Sequence, residues 1–239
     1  MPINEFLTQT QAFWVSWLML GAFAFCLSVT AGFAGYAIRA ANSQIRPAWI
    51  FALPVIFMLW GGAAFATSVT YRLDFVFLGP MILLPILLGW AVSYMRWMVT
   101  ILSNIPLHWM IWIQVFRVAG GVFLYYMALG LLTPGFAWPA GVGDVLTGVA
   151  AIPVAWLVLR DPVRWKGLFV GWSLFGIGDL VVAVTAAAIF NFEATDVELT
   201  FAITAIPLFL GPPFGILIHI MTWRAYNLQM RAKPAAAAP

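Results

Sequence analysis

Three side chains in this chain could do chemistry in a place where charge is hard to keep. Arg117, Asp144 and Asp179 each stand inside a long apolar run. An ionisable group in such a run is expensive, and it ordinarily faces protein, water or a bound partner. An arginine near two carboxylates can clamp helices together, bind a polar solute, or hold and pass a proton. Gln114, Arg117, Gly121 and Tyr125 recur at i, i+3, i+7 and i+11, which is one face of an α-helix. The ligand- or ion-binding set read from the sequence is therefore Gln114, Arg117, Tyr125, Asp144 and Asp179.

The two aspartates close a repeated pattern, Gly141-Val142-Gly143-Asp144 and Gly176-Ile177-Gly178-Asp179. The likeness continues as GVGDVLTGVAAI against GIGDLVVAVTAAAI. Adjacent spans run in opposite directions, so a true duplication would be an inverted pair. Small residues let helix backbones approach closely, which places both aspartates at tight helix contacts. Counting from the expected helix ends puts Arg117 about 15 Å deep and Asp179 about 18 Å deep from one side. Asp144 comes out only about 8 Å from the other side. Arg117 is expected to pair with Asp179, leaving Asp144 nearer outside water. The bland alternative is a structural clamp that sets helix register without chemistry.

GVGDVLTGVAAI resembles the second aspartate motif of intramembrane aspartyl proteases, including the prepilin-peptidase type. That resemblance implies Asp144 and Asp179 as a pair of carboxylates sharing a proton and activating water. It covers about a dozen residues. The chain departs from the pattern where a basic residue often follows the motif, having Leu146 or Val181 there, and it has no Pro-Ala-Leu element.

His108 and His219 are the only histidines. Both are expected at the inner face, where they could bracket one haem or metal as cofactor-binding residues. With one cysteine, Cys26, there is no disulfide framework within the chain and no Cys-rich metal site. The sequence assigns no catalytic residue and no metal site, and it leaves the cofactor unknown, a bound haem or pigment included.

The elements that must carry these residues are membrane helices. The chain has 239 residues, 64% hydrophobic and 8% charged. A soluble domain carries about 25% charged residues, so this composition leaves no surface to show to water. Seven apolar runs approach the length of about 20 residues that a span needs. They are 12–38, 47–69, 75–95, 107–132, 140–159, 167–190 and 199–221. Met1 to Gln11 has no Lys or Arg, so the first run reads as a retained helix. Trp97 to Leu102 reads either as an extension of the third run or as a piece lying along the surface. A break is expected at Gly211-Pro212-Pro213, where two adjacent donors are lost.

Arg39, Arg46, Arg96, Arg160, Arg164, Lys166, Arg224, Arg231 and Lys233 all fall on one side of that layout. Arg72 lies on the other side, with Glu5, Asp74, Glu193, Asp196 and Glu198. The positive-inside rule then puts the N-terminus outside and the C-terminus in the cytoplasm. Trp49, Trp97, Trp109, Trp165 and Trp223 fall at the inner ends, where indoles sit among headgroups. The layout is similar to that of microbial rhodopsins, but no expected span contains the lysine that retinal requires.

The expected protein is all-α: one seven-helix domain over 1–221 and a cytoplasmic tail over 222–239, disordered at its end, in a bacterial-type inner membrane. Its partners are the lipid bilayer and further membrane chains, either copies of itself or other subunits. No basic stripe suggests nucleic acid. The leading function is a transporter or channel for a small solute, ion or proton. The alternative is a non-catalytic subunit or anchor of a larger complex, with an intramembrane aspartyl hydrolase third.

Overall fold

The computed structural model describes residues 21, 24–41, 55–60, 62–63, 75–191 and 197–236, with backbone alone at 75–78, 191, 197–209 and 233–236. The rest of the expected second run, the polar turn at 71–74, the acidic stretch 192–196 and the last three residues of the tail lie outside the described residues. So do Glu5, Arg46 and Trp49, and the first half of the expected first run.

The described residues are helical and include no strand. Helix α1 is Ala24–Ala40. A helical stretch at 55–60 follows. Helix α2 is Phe75–Val92 and α3 is Arg96–Asn104. Helix α4 is Leu107–Ala128, α5 is Pro134–Arg160, and α6 is Lys166–Ala186 with a π turn at Ala187–Asn191. Helix α7 is Val197–Ala236. Helices α4, α5 and α6 (continued to Phe190) are long and apolar enough to cross a membrane. The segments Gly79–Val92 and Arg96–Asn104 would make a fourth span if their bent pair is counted as one. Against the expected seven, the described residues hold three or four.

Local sequence explains where these helices start and stop. Gly130 adopts φ 73°, and Leu131 N donates to Tyr126 O while Gly130 N donates to Met127 O. This is the Schellman arrangement, in which only glycine takes the left-handed position cheaply. It ends α4 at Ala128 rather than near Leu132. Helix α5 then begins at Pro134, six residues before the expected start, because proline at the first helical position gives up a donor that has no partner there anyway. At its far end, Asp161 Oδ1 accepts from Val163 N and Arg164 N, at 3.0 and 2.9 Å, and turns the chain into α6.

Helix α3 turns 85° away from α2 instead of extending it. Its buried Ile101 and Leu102 face the core, and Gln229 Nε2 of α7 donates to the carbonyls of Leu102 and Ile105. Arg224 Nε donates to Ser93 O at the bend, and its guanidinium lies 3.6 Å over the Tyr94 ring. Helix α7 itself runs unbroken through Gly211-Pro212-Pro213 and beyond Met221 to Ala236. The two prolines each forfeit one helical bond, but contacts with α2, α3 and α6 hold the rod along its length.

Helix α5 sits at the centre, packed most extensively on α4 and α6. Near the 161–166 turn the core is aromatic. There Phe169 stacks on Tyr226 with centroids 5.5 Å apart, beside Trp172 and Trp223.

Candidate functional site

Arg117 is the largest fully buried side chain of the described residues. It comes from the middle of α4, where residues Gln114–Gly121 form a 3-10 helix. Its Nε donates to Asp144 Oδ1 at 2.6 Å, its Nη1 to the Gly176 carbonyl at 2.8 Å, and its Nη2 to Asp179 Oδ2. The guanidinium thus meets carboxylates from both α5 and α6. Arg117 and Asp179 come together as expected from their depths. Asp144 is not set apart near outside water: because α5 starts at Pro134, it lies about ten residues in, roughly 15 Å from that end. Its side chain is 14% exposed, against 7% for Asp179 and 1% for Arg117.

The 3-10 stretch also rotates the face of α4. Each residue turns about 120° there, against about 100° on an α-helix. The buried positions are accordingly Gln114, Arg117, Gly120, Phe123 and Tyr126, spaced by three. Gln114 is buried, and its Nε2 donates to Gly215 O at 2.9 Å. Tyr125, expected on the same face, is 41% exposed and lies off the site. Over eight residues the extra 20° per residue accumulates to about half a turn, which is why α-helical spacing misplaces it.

Glycines make room for each polar group. A Cβ on Gly120 of α4 would collide with the Asp144 side chain, and one on Gly143 of α5 would collide with Asp179. One on Gly176 of α6 would collide with the His219 ring and come 2.9 Å from Thr147 Cγ2. Each helix therefore offers a bare backbone to the polar side chain of the next one in the chain. Close approach also brings the Gly176 carbonyl within reach of Arg117.

His219 is buried, 1% exposed, between α5 and α6. Its Nδ1 is 3.1 Å from Ser173 Oγ, and its ring packs 4.7 Å from Trp172. His108 instead lies along an outer groove with Trp112, Pro153 and Trp156. The two histidines do not bracket a common site; α7 extends well past the expected end, and this buries His219 inside the bundle. Among the described residues, no three His, Cys, Asp or Glu side chains are grouped to hold a metal ion.

On the other side of Arg117 lies a cavity of about 450 Å³. Arg117 and Asp144 form its charged wall; Phe116, Phe123, Phe136 and Leu180 are among its apolar ones.

The arrangement falls inside residues 75–225, and over those residues the chain matches the profile of a family described as Domain of unknown function (DUF8737). The chain belongs to that family. No curated protein and no solved structure matches it. The matched stretch includes Arg117, Asp144, Thr147, Ser173, Asp179 and His219, and begins after α1.

Thr147 and Ser173 are not among the residues singled out from sequence. Their signal was spacing: Thr147 follows Asp144 by three, and Ser173, Gly176 and Leu180 share one face of α6.

Proposed function

We infer that this chain is an integral membrane carrier that moves a small solute, ion or proton past Arg117, Asp144 and Asp179. The observation that carries the reading is the charge count beside the cavity. Two carboxylates share one guanidinium, all three nearly closed off from solvent, and Arg117 and Asp144 form part of the wall of a space large enough for a small molecule. A clamp needs one carboxylate. A second adds several kcal/mol of desolvation and leaves a formal excess of one negative charge. That excess favours a proton or a cationic group as the cargo.

The outer surface supports a bilayer setting. Leu146, Val149, Ile152, Trp156 and Leu159 of α5, with Leu174, Phe175, Val181 and Val182 of α6, are exposed apolar residues along two long helices. Water does not tolerate so continuous a surface, and lipid does. The seven-span layout with basic loops in the cytoplasm, in a bacterial-type inner membrane, belongs to this same proposal. The aromatic layer of Phe169, Trp172, Trp223 and Tyr226 would then close the cytoplasmic side while the cavity stands on the other.

An aspartyl hydrolase fits less well. That chemistry needs two carboxylates sharing a proton, and here a guanidinium bonds to both.

The test is flux. The full chain is reconstituted in vesicles containing a trapped pH dye, and a potassium diffusion potential drives proton entry. Asp179→Asn is expected to abolish entry while leaving the thermal unfolding midpoint within a few degrees. Unchanged entry, or loss of the folded protein, would make the cluster a structural clamp.

A further inference from the structure

Near Arg117, three buried polar atoms have no hydrogen-bond partner among the described residues. They are His219 Nε2, Thr147 Oγ1 and Gln114 Oε1. Their residues are each 1% exposed or less. A polar atom buried without a partner costs about 1–3 kcal/mol, so three of them in one layer call for something that satisfies them. The layer is compact. The His219 ring and the Thr147 side chain, through its methyl carbon Cγ2 at 2.9 Å, both close on the one point where a Gly176 Cβ would be. Gln114 bonds Gly215, one turn before His219 on the same face of α7. Beyond it the Trp172 indole donates to Thr147 O at 3.0 Å, and the aromatic core begins.

We propose that the cargo, or the ion that drives it, is a proton, and that His219 is its second lodging, reached through a water held between His219 Nε2 and Thr147 Oγ1. This rests on the carrier reading and deepens it. Buried waters ordinarily have two to four polar partners of this kind. Imidazole is the side chain whose unperturbed form changes charge nearest neutral pH; the nearby guanidinium repels a proton placed on it, so His219 serves as a transient stop and not a resting one.

The charge arithmetic fits. Arg117, Asp144 and Asp179 lack one positive charge with both carboxylates ionised, and one proton makes the set neutral. It can sit on Asp144, which lines the cavity, or on His219, which does not. In the second case the carboxyl O–H breaks as the proton passes to the water, an O–H of that protonated water breaks as the Nε2–H bond forms, and a carboxylate and neutral water remain. The reverse step returns the proton to the same water. No electron moves and no co-reactant is needed. Arg117 of α4 bonds the Gly176 carbonyl, and the His219 ring lies against the same glycine, so the guanidinium is a charged neighbour of the ring. Asp144 of α5 and Asp179 of α6 bond the same guanidinium, Ser173 of α6 holds Nδ1, and Trp172 covers the ring. Arginine thus partitions two proton sites, and passage between them is the transport step.

The chain has two histidines, so His108→Gln leaves His219 alone to be observed. The full-length variant, ring-labelled with nitrogen-15 in liposomes, is studied by solid-state NMR. The expected result is a water contact at Nε2 that Thr147→Val removes. In the vesicle assay His219→Gln is expected to slow proton entry at least tenfold, with the unfolding midpoint nearly unchanged. An Nε2 without water contact, or one indifferent to Thr147→Val, overturns the inference. So does proton entry that requires Asp179 but not His219, and that outcome leaves the carrier reading standing. An unmodified chain that passes no protons also overturns the inference, and leaves the carrier reading to a solute or an ion other than the proton.

Discussion

The two Gly-x-Gly-Asp motifs are nearly identical in sequence and do different work. In Gly141-Val142-Gly143-Asp144, the aspartate turns back to lie over Gly120 of α4, and Gly143 turns forward to receive Asp179 of α6. In Gly176-Ile177-Gly178-Asp179, it is the first glycine that receives a neighbour, the His219 ring, while Gly178 has open space beside it. The first motif is wedged between two helices and uses both sides. The second meets α5 on one side and α7 on another, and leaves its second glycine unused. Equal residues acquire unequal roles because α5 is central and α6 is not.

The largest way to break this comparison is to remove what both motifs share. Arg117→Leu leaves two buried carboxylates without their cation, and truncating one partner of a buried charge pair costs about 3–5 kcal/mol. Folded yield in detergent is expected to collapse. Adding Asp144→Asn and Asp179→Asn to the same chain should restore much of it, and a triple variant no better than the single one would count against the charge argument.

The next test separates the glycines. Gly143→Ala forces a methyl group into the Asp179 carboxylate, and Gly176→Ala forces one into His219. Overpacking of this kind costs about 1–3 kcal/mol, with Gly143→Ala at the upper end because Asp179 is tied to Arg117 and has nowhere to move. Thermal unfolding would rank the two, and the reverse order would contradict the stated geometry.

The smallest effect sharpens the contrast. Gly178→Ala meets nothing and replaces a poor helix former by a good one, worth at most about 1 kcal/mol of added stability. A clear drop in the unfolding midpoint would mean that Gly178 has a neighbour the structure does not show.

Much of the cluster can be read from sequence, and the misreadings have physical causes. Depth counting along an α-helix brings Arg117 to Asp179, because both are measured from the same side and each helix is regular enough between its end and the charge. It fails for Asp144, because Thr133 to Pro139 reads as a turn when Pro134 in fact opens the helix. Tyr125 fails for a different reason: the period of α4 changes from 3.6 to 3.0 within the segment that matters, so Gln114 and Arg117, three apart, fit either period, while Gly120 replaces Gly121 on the buried face. His219 reads as a residue at the end of a span because Gly-Pro-Pro and the polar residues after Met221 both suggest termination. Tertiary contacts override both signals. Thr147 and Ser173 are too ordinary in type to stand out until a histidine is placed beside them.

The overwound middle of α4 has a consequence for reach. Eight of its 22 residues rise about 2.0 Å each instead of 1.5 Å, so it spans roughly 37 Å where a uniform α-helix would manage roughly 33 Å. Helix α5, with 27 residues, is about 40 Å long. A chain segment shorter by five residues therefore comes close to matching its neighbour's extent, and the guanidinium it carries is stationed midway along both.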